Sequence, residues 1–320
     1  MTTDGKTRWI MKALTLNGYD GLASLRLEEV AAPEPGPNDV LVRVQAASVN
    51  PVDGKITRGY AGTSRALPHV LGRDCAGVVT KLGSAVTGFK TGDEVYGVAD
   101  AARWGTHAEL VAMPAATTAR KPAGLSEVEA ASLPISGLSA YAGLVTTGKL
   151  ARGQRVLIHA GAGGVGSFAV QLAKHLGATV AATAGTANLD FVRMLGADQV
   201  IDYTRTDFST AIGDCDLVFD LIGGDVRYHS FPVLKPGGAI VHISVPPMTQ
   251  APPRGDVEVR PAPVKYDTAL LEEISALVQS KAVRPTVTAV YPFRDALKAY
   301  EHVMTGHARG KVMLDMSGAG

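Results

Sequence analysis

The chain has 320 residues, 46% hydrophobic and 19% charged, with 31 Lys plus Arg against 30 Asp plus Glu for a formal charge of +1. That length suggests two domains, each able to bury its own core. The apolar fraction is too high for a disordered chain, and the charge balance argues against a nucleic-acid partner, so none is expected. Two cysteines far apart, Cys75 and Cys215, rule out a disulfide framework or a CxxC metal knuckle. No apolar run reaches the roughly 20 residues of a bilayer span, and the start MTTDGKTRWIMKAL is polar without a hydrophobic signal core. A cytoplasmic protein with no membrane association is expected, with residues 1–10 set apart from the fold.

From Met11 to about Ala116, short apolar stretches alternate with Gly, Pro, Asn and Asp: Lys12 to Leu16, Leu25 to Val30, Val40 to Ala47, Gly77 to Leu82, Glu94 to Val98 and Ala108 to Met113. This spacing predicts a β-rich unit, with Ala31 to Val40 as an internal turn. From about Ile135 the rhythm becomes strand, glycine turn, helix. Arg155 to Ala160 is a buried-strand run, and Val165 to Leu176 places Val165, Phe168, Ala169, Leu172 and Leu176 on one helical face. Strands over Thr179 to Thr183, Gln199 to Asp202, Cys215 to Ile222 and Ala239 to Val245 follow, with helices between. Alternating β and α units imply a parallel sheet covered on both faces. After a proline-rich loop, Pro246 to Gly255, come a short strand near Val257 to Val259, two helices and two strands ending at Met316.

Gly161, Gly163 and Gly166 spell GxGxxG, a weak signal alone in so glycine-rich a chain. Its context is what counts: it follows the strand ending at Ala160 and opens the next helix, where a dinucleotide pyrophosphate meets helix N-terminal N–H groups. Gly161, Gly163, Gly164, Val165 and Gly166 are therefore expected to bind a nicotinamide cofactor. An NAD site usually carries an acid about 20 residues further on, but the second strand ends Thr183-Ala184-Gly185-Thr186-Ala187-Asn188. Thr183 and Thr186 can hydrogen-bond a 2′-phosphate there. NADPH is thus expected over NADH, although no Lys or Arg stands within that stretch.

The segments AASVNPVDGKI (from Ala46), LPHVLGRDCAGVV (from Leu67), GDEVYG (from Gly92), HAGAGGVGSFAVQLAK (from His159), LGADQVIDY (from Leu195), LKPGGAIV (from Leu234) and ARGKVML (from Ala308) together resemble the medium-chain dehydrogenase/reductases. The branch most similar is the zinc-free quinone oxidoreductases related to zeta-crystallin. The resemblance implies an α/β fold, a Rossmann doubly wound parallel sheet plus a β-rich GroES-like catalytic domain. The catalytic domain would be 1–134 with 265–320, the Rossmann domain 135–264, and the cofactor would lie in the cleft. Zinc-bearing members carry a ligand cysteine at Asn50 and a GHE motif at Gly72-Arg73-Asp74, with a third ligand near Leu133 or Pro134. Their four-cysteine lobe is replaced here by the VADAARWG stretch that starts at Val98. No zinc is expected, and Arg73 and Asp74 are expected to form an ion pair in its place.

Without a metal to polarise a carbonyl, easy hydride acceptors are expected, namely quinones and the activated alkene of an enone. Asn50 is the candidate beside the reacting centre, donating to a nicotinamide-ribose hydroxyl or a developing oxyanion; alternatively it satisfies the turn before Pro51. By resemblance to enoyl-thioester reductases, Tyr60 is a candidate proton donor, with a surface tyrosine as the alternative. The resemblance further implies cofactor contacts from Ser139, Tyr203 (beside the 2′-phosphate), Ser244 and Lys311, and a homodimer joined through the last Rossmann strand. An enoyl-thioester reductase and a non-catalytic NADPH-binding relative are the competing readings.

Overall fold

A computed structural model describes residues 9–60, 66–243 and 245–318. Two units emerge: one contains the described residues up to Pro134, Tyr266–Ser275 and those from Val287 onward, the other Ile135–Lys265 and Ala276–Thr286. The second crossing differs from the expected boundaries. Residues 276–286 belong with the second unit because the Arg284 N–H and carbonyl both bond the Gln171 amide, and Thr286 Oγ1 lies 2.7 Å from Ser167 Oγ.

The chain opens with strands β1 (Ile10–Leu16), β2 (Leu25–Ala31) and β3 (Asp39–Val49), helix α1 (Pro51–Ile56), then β4 (His69–Val70), β5 (Asp74–Leu82), β6 (Glu94–Val98), β7 (Leu110–Pro114) and β8 (Thr118–Arg120), and helix α2 (Glu127–Ala131). Along β3, Val40, Val42 and Val44 are buried while Leu41, Arg43 and Gln45 are less so, the period-two pattern of a sheet with one covered face. The α1 helix was not anticipated from NPVDGKI. Proline at the first helical position lacks an N–H that would be unsatisfied anyway, and Asp53 accepts the Asn50 N–H at 2.6 Å, so a stretch that reads as a turn closes into a helix.

The second unit begins with α3 (Pro134–Tyr141) and continues through β9 (Arg155–Ile158), α4 (Gly164–His175), β10 (Thr179–Ala184), α5 (Leu189–Met194), β11 (Gln199–Asp202), α6 (Phe208–Ala211), β12 (Cys215–Asp220), α7 (Gly224–His229), β13 (Leu234–His242) and β14 (Glu258–Pro261). Its six-stranded sheet has the order β11-β10-β9-β12-β13-β14 with every pairing parallel. This is the doubly wound Rossmann arrangement, in which the order reverses beside the first strand, β9. Helix α8 (Thr268–Gln279) follows.

The chain then ends in β15 (Val287–Pro292), α9 (Ala296–Met304) and β16 (Lys311–Asp315), which complete the first unit's seven-stranded sheet, β15-β16-β3-β5-β6-β8, with β7 paired to β3. Two registers in this sheet place the chemistry. Antiparallel pairing of Val312 with Val49 puts Lys311 opposite Asn50, and pairing of Cys75 with Ala47 puts Asp74 opposite Ser48.

Candidate active site

These registers converge four polar side chains at the end of β3. The Lys311 ammonium donates to Asn50 Oδ1 at 2.7 Å and lies 3.8 Å from Asp74 Oδ2. An ammonium has no acceptor, so the amide oxygen must face Lys311 and the amide nitrogen the other way. That nitrogen donates to Asp74 Oδ1 at 2.8 Å and to Ser48 Oγ at 3.2 Å, while the Ser48 hydroxyl itself donates to Asp74. All four residues are at least 95% removed from solvent. Two expectations are corrected here. Both Asn50 N–H groups are already engaged, leaving none for a ribose hydroxyl or an oxyanion, and Lys311 is held inside the first unit by Asn50.

The expected Arg73–Asp74 ion pair does not form either, because Lys311 is the cation at Asp74; the Arg73 guanidinium lies over the rings of Trp104 and Tyr266, each centroid 5.2 Å away. Beneath the cluster, His107 Nε2 is 3.0 Å from the Ser48 carbonyl and Nδ1 is 2.9 Å from Tyr300 Oη. The carbonyl can only accept, so Nε2 carries the proton and Nδ1 accepts from the tyrosine. Burial pushes this histidine down to about 4, so it is neutral. Asp53 has one oxygen on the Asn50 N–H and the other without a partner, and burial raises it to about 7.

Cys75 is packed against the Met113 sulfur at 3.6 Å with its thiol pushed up by burial, as a small core residue is. No group of three or more His, Cys, Asp or Glu side chains could hold a metal ion among the described residues. Tyr60 lies beyond α1 with 42% of its surface exposed and the Lys55 ammonium 5.8 Å from its ring centroid. It takes no part in the buried cluster.

In the second unit the glycine loop joins β9 to α4. A Cβ at Gly166 would fall 2.1 Å from the Ala160 carbonyl oxygen and one at Gly161 2.8 Å from Ala182 Cβ, so the fold itself requires both glycines. Gly163 differs. Its φ of −75° suits any residue, and a Cβ there would meet only the Ala160 oxygen, at 3.5 Å. Nothing in the protein demands glycine at that position, whereas a pyrophosphate approaching the start of α4 would. Gly163, Gly164 and Val165 are half-buried around the first turn of that helix. The loop thus fits a dinucleotide.

A buried histidine braces the loop from below. Ser230 Oγ donates to the Val226 carbonyl at 2.7 Å and so accepts from His159 Nε2 at 2.9 Å. His159 Nδ1 then accepts from the Thr183 hydroxyl at 3.2 Å, and Thr183 accepts the Ala160 N–H at 3.2 Å. Burial lowers His159 to about 4, consistent with this neutral tautomer. The expected role of Thr183 as a 2′-phosphate ligand is therefore corrected: it is 4% exposed and its hydroxyl is spent inside.

Thr186 remains at the surface, donating to Asp202 Oδ2 at 2.6 Å and lying 3.0 Å from Thr204 Oγ1. Because β10 and β11 are adjacent and parallel, Tyr203 comes beside Gly185, whose Cβ would be 3.4 Å from the phenol oxygen. Arg205 joins the same corner, its Nε 3.8 Å from Asp202. The sequence reading sought a cation only after β10 and missed this one, which arrives from the next strand; strand adjacency in a Rossmann sheet is the signal that would have found it. Ser139 is 4% exposed on α3. Ser244 lies outside the described residues.

Two family models match the chain. Residues 36–123 match the alcohol dehydrogenase GroES-like domain and residues 195–314 the zinc-binding dehydrogenase family. The chain is 38% identical to the NADPH-dependent alkenal/one oxidoreductase, chloroplastic, of Arabidopsis thaliana, over 98% of this chain and 82% of the relative. It is 37% identical to the 2-methylene-furan-3-one reductase of Solanum lycopersicum, over 95% and 79% respectively. The solved quinone oxidoreductase from Coxiella burnetii superposes with a TM-score of 0.88 at 34% identity, covering 96% of this chain and 100% of that one. Among the described residues no helix is long and apolar enough to cross a membrane.

Proposed function

Because the chain belongs to the zinc-free quinone oxidoreductase branch of the medium-chain dehydrogenase/reductases, we propose that it is an NADPH-dependent oxidoreductase acting without zinc, with its cofactor on the second unit and its acceptor on the first. The activity is hydride transfer to a quinone or to the activated alkene of an enone. The observation that carries the cofactor half is Gly163, a glycine the fold does not need and a pyrophosphate does. Bound NADPH would supply the hydride.

Around it, the N–H groups of Gly164, Val165 and Gly166 receive the pyrophosphate, with Ser139 nearby, and Tyr203 and Arg205 hold the adenosine 2′-phosphate, while Thr186, its hydroxyl donated to Asp202, shapes that corner and does not bind the phosphate. Arg205 provides the cation that a preference over NADH needs. In the first unit, the Lys311 ammonium fills the role of the cation at Asp74 and Asn50, which supports a zinc-independent enzyme. Tyr60, 42% exposed and close after α1, serves as the proton source at the acceptor.

The strand β14 forms one edge of the six-stranded sheet and supports a homodimer joined there. Two free, buried cysteines suit a reducing compartment such as the cytoplasm. The test of function is steady-state NADPH oxidation across a panel of quinones, enones and saturated ketones. Turnover of the first two classes and none of the third is expected; turnover of saturated ketones alone would overturn the reading.

A further inference from the structure

Arg73 carries a cation beside the buried cluster that the cluster does not use. Its guanidinium lies over the rings of Trp104 and Tyr266 at 5.2 Å each, its Nε is buried with no hydrogen-bond partner, and no carboxylate pairs with it among the described residues. The acids near it are otherwise committed. Asp74 is taken by Lys311, Asn50 and Ser48, and Asp53 sits at about 7 through burial, so near neutrality it is only partly charged. A half-buried guanidinium without a counter-ion is a group built to meet an anion.

The loop that presents Trp104 is held with care. Trp104 has φ of 58°, a left-handed conformation that is rare for a bulky residue and that clusters at ligand sites. Its backbone N–H bonds the Asp100 carbonyl at 2.8 Å and its indole N–H the Ala101 carbonyl at 2.8 Å. Next to it, Arg103 makes a two-pronged bond to Asp39 at 2.6 and 2.9 Å, which anchors the loop to the start of β3. With both of its N–H groups bonded, the buried indole meets the Arg73 guanidinium through its ring, and the His69 ring lies 6.0 Å away. The indole is a buried member of the first unit's core, and its left-handed backbone seats the ring against the Arg73 guanidinium.

We propose that Arg73 is a specificity-determining residue that binds the acceptor through a carboxylate, so that the preferred substrates are conjugated enones carrying a carboxylate group. This rests on the reading of the enzyme as an enone reductase. Two acceptors differing only in charge test it: acetylacrylic acid, which is ionised at neutral pH, and its neutral methyl ester. The wild-type enzyme is expected to show kcat/KM at least about tenfold higher for the acid, with a KM for the acid alone that rises with salt. In Arg73→Gln the ratio of acid to ester should fall to near one through KM, and Arg73→Lys should recover part of it.

If the ester is turned over and the acid is no better, the inference fails while the enone-reductase reading stands. If neither is turned over although other acceptors are, both fail. An equal fall for acid and ester in Arg73→Gln would mean that the guanidinium only supports the fold, which overturns the proposal. Should that variant not fold, the wild-type ratio and its salt dependence decide alone.

Discussion

Lys311 donates to the Asn50 amide oxygen across the β16–β3 register, 2.7 Å apart although the two residues are 261 positions apart in sequence. The bond fixes the amide so that its nitrogen serves Asp74, and it places the Lys311 ammonium 3.8 Å from that carboxylate. Removing it takes the ammonium away from a buried carboxylate, which costs roughly 3–5 kcal/mol. Lys311→Met is therefore expected to lose about that much stability in urea unfolding. Wild-type protein is expected to carry no stoichiometric zinc by elemental analysis and to keep its activity in a chelator; one tightly held zinc per chain would contradict the role given to Lys311.

The glycines of the loop separate fold from function. Gly163→Ala should fold normally, since its Cβ meets nothing closer than 3.5 Å, yet NADPH should bind about tenfold or more weakly because backbone approach to the pyrophosphate is lost. Gly166→Ala, with its Cβ 2.1 Å from a carbonyl oxygen, should lower the melting temperature itself. Thermal unfolding and fluorescence titration of both variants check the pair. Equal cofactor affinity in Gly163→Ala and wild type would remove the basis for the loop assignment.

Cofactor choice is expected to depend on Arg205. A hydrogen bond to a charged group contributes roughly 1.5 to 3 kcal/mol, less where water competes, so Arg205→Gln should raise the Kd for NADPH about tenfold. The Kd for NADH, which has no 2′-phosphate, should stay within about twofold by the same reasoning. A variant that binds both cofactors as before would place the 2′-phosphate elsewhere.

Asp53 makes a pH-dependent contribution with a definite sign. Burial, aided by Asp74, raises its carboxyl from 3.8 to about 7 in the folded protein. Between those values the folded state holds a proton that the unfolded state has lost, so stability contributed by this group is present below pH 4 and declines up to about pH 7. Asp53→Asn cannot titrate. Its stability relative to wild type should therefore climb by up to about 1.4 kcal/mol per pH unit across that window and level off above it. Denaturant unfolding at several pH values measures this; a constant difference would show that the carboxyl titrates normally.

The edge strand β14 is expected to join a second copy of the chain. Light scattering over micromolar concentrations should give the mass of two chains, and a monomer throughout would refute the pairing.

Local sequence determined much of this. The alternation of Val40, Val42 and Val44 and the apolar run before Gly161 announce a half-buried strand and a buried one, because side-chain periodicity is a property of neighbouring residues. The order of strand and helix signals after Ile135 likewise carries the parallel sheet, since helical crossovers permit little else. What only the tertiary structure decided depends on register and adjacency between distant segments. Asn50 reads as a free donor until β16 brings Lys311 and β5 brings Asp74 to consume its amide. Thr183 reads as a phosphate ligand until His159 and the Ala160 N–H enclose its hydroxyl, and Arg205 acquires its place only because β11 lies beside β10. Hydrogen-bond partners at such separations are set by which strands pair and in what register, and no local pattern encodes that.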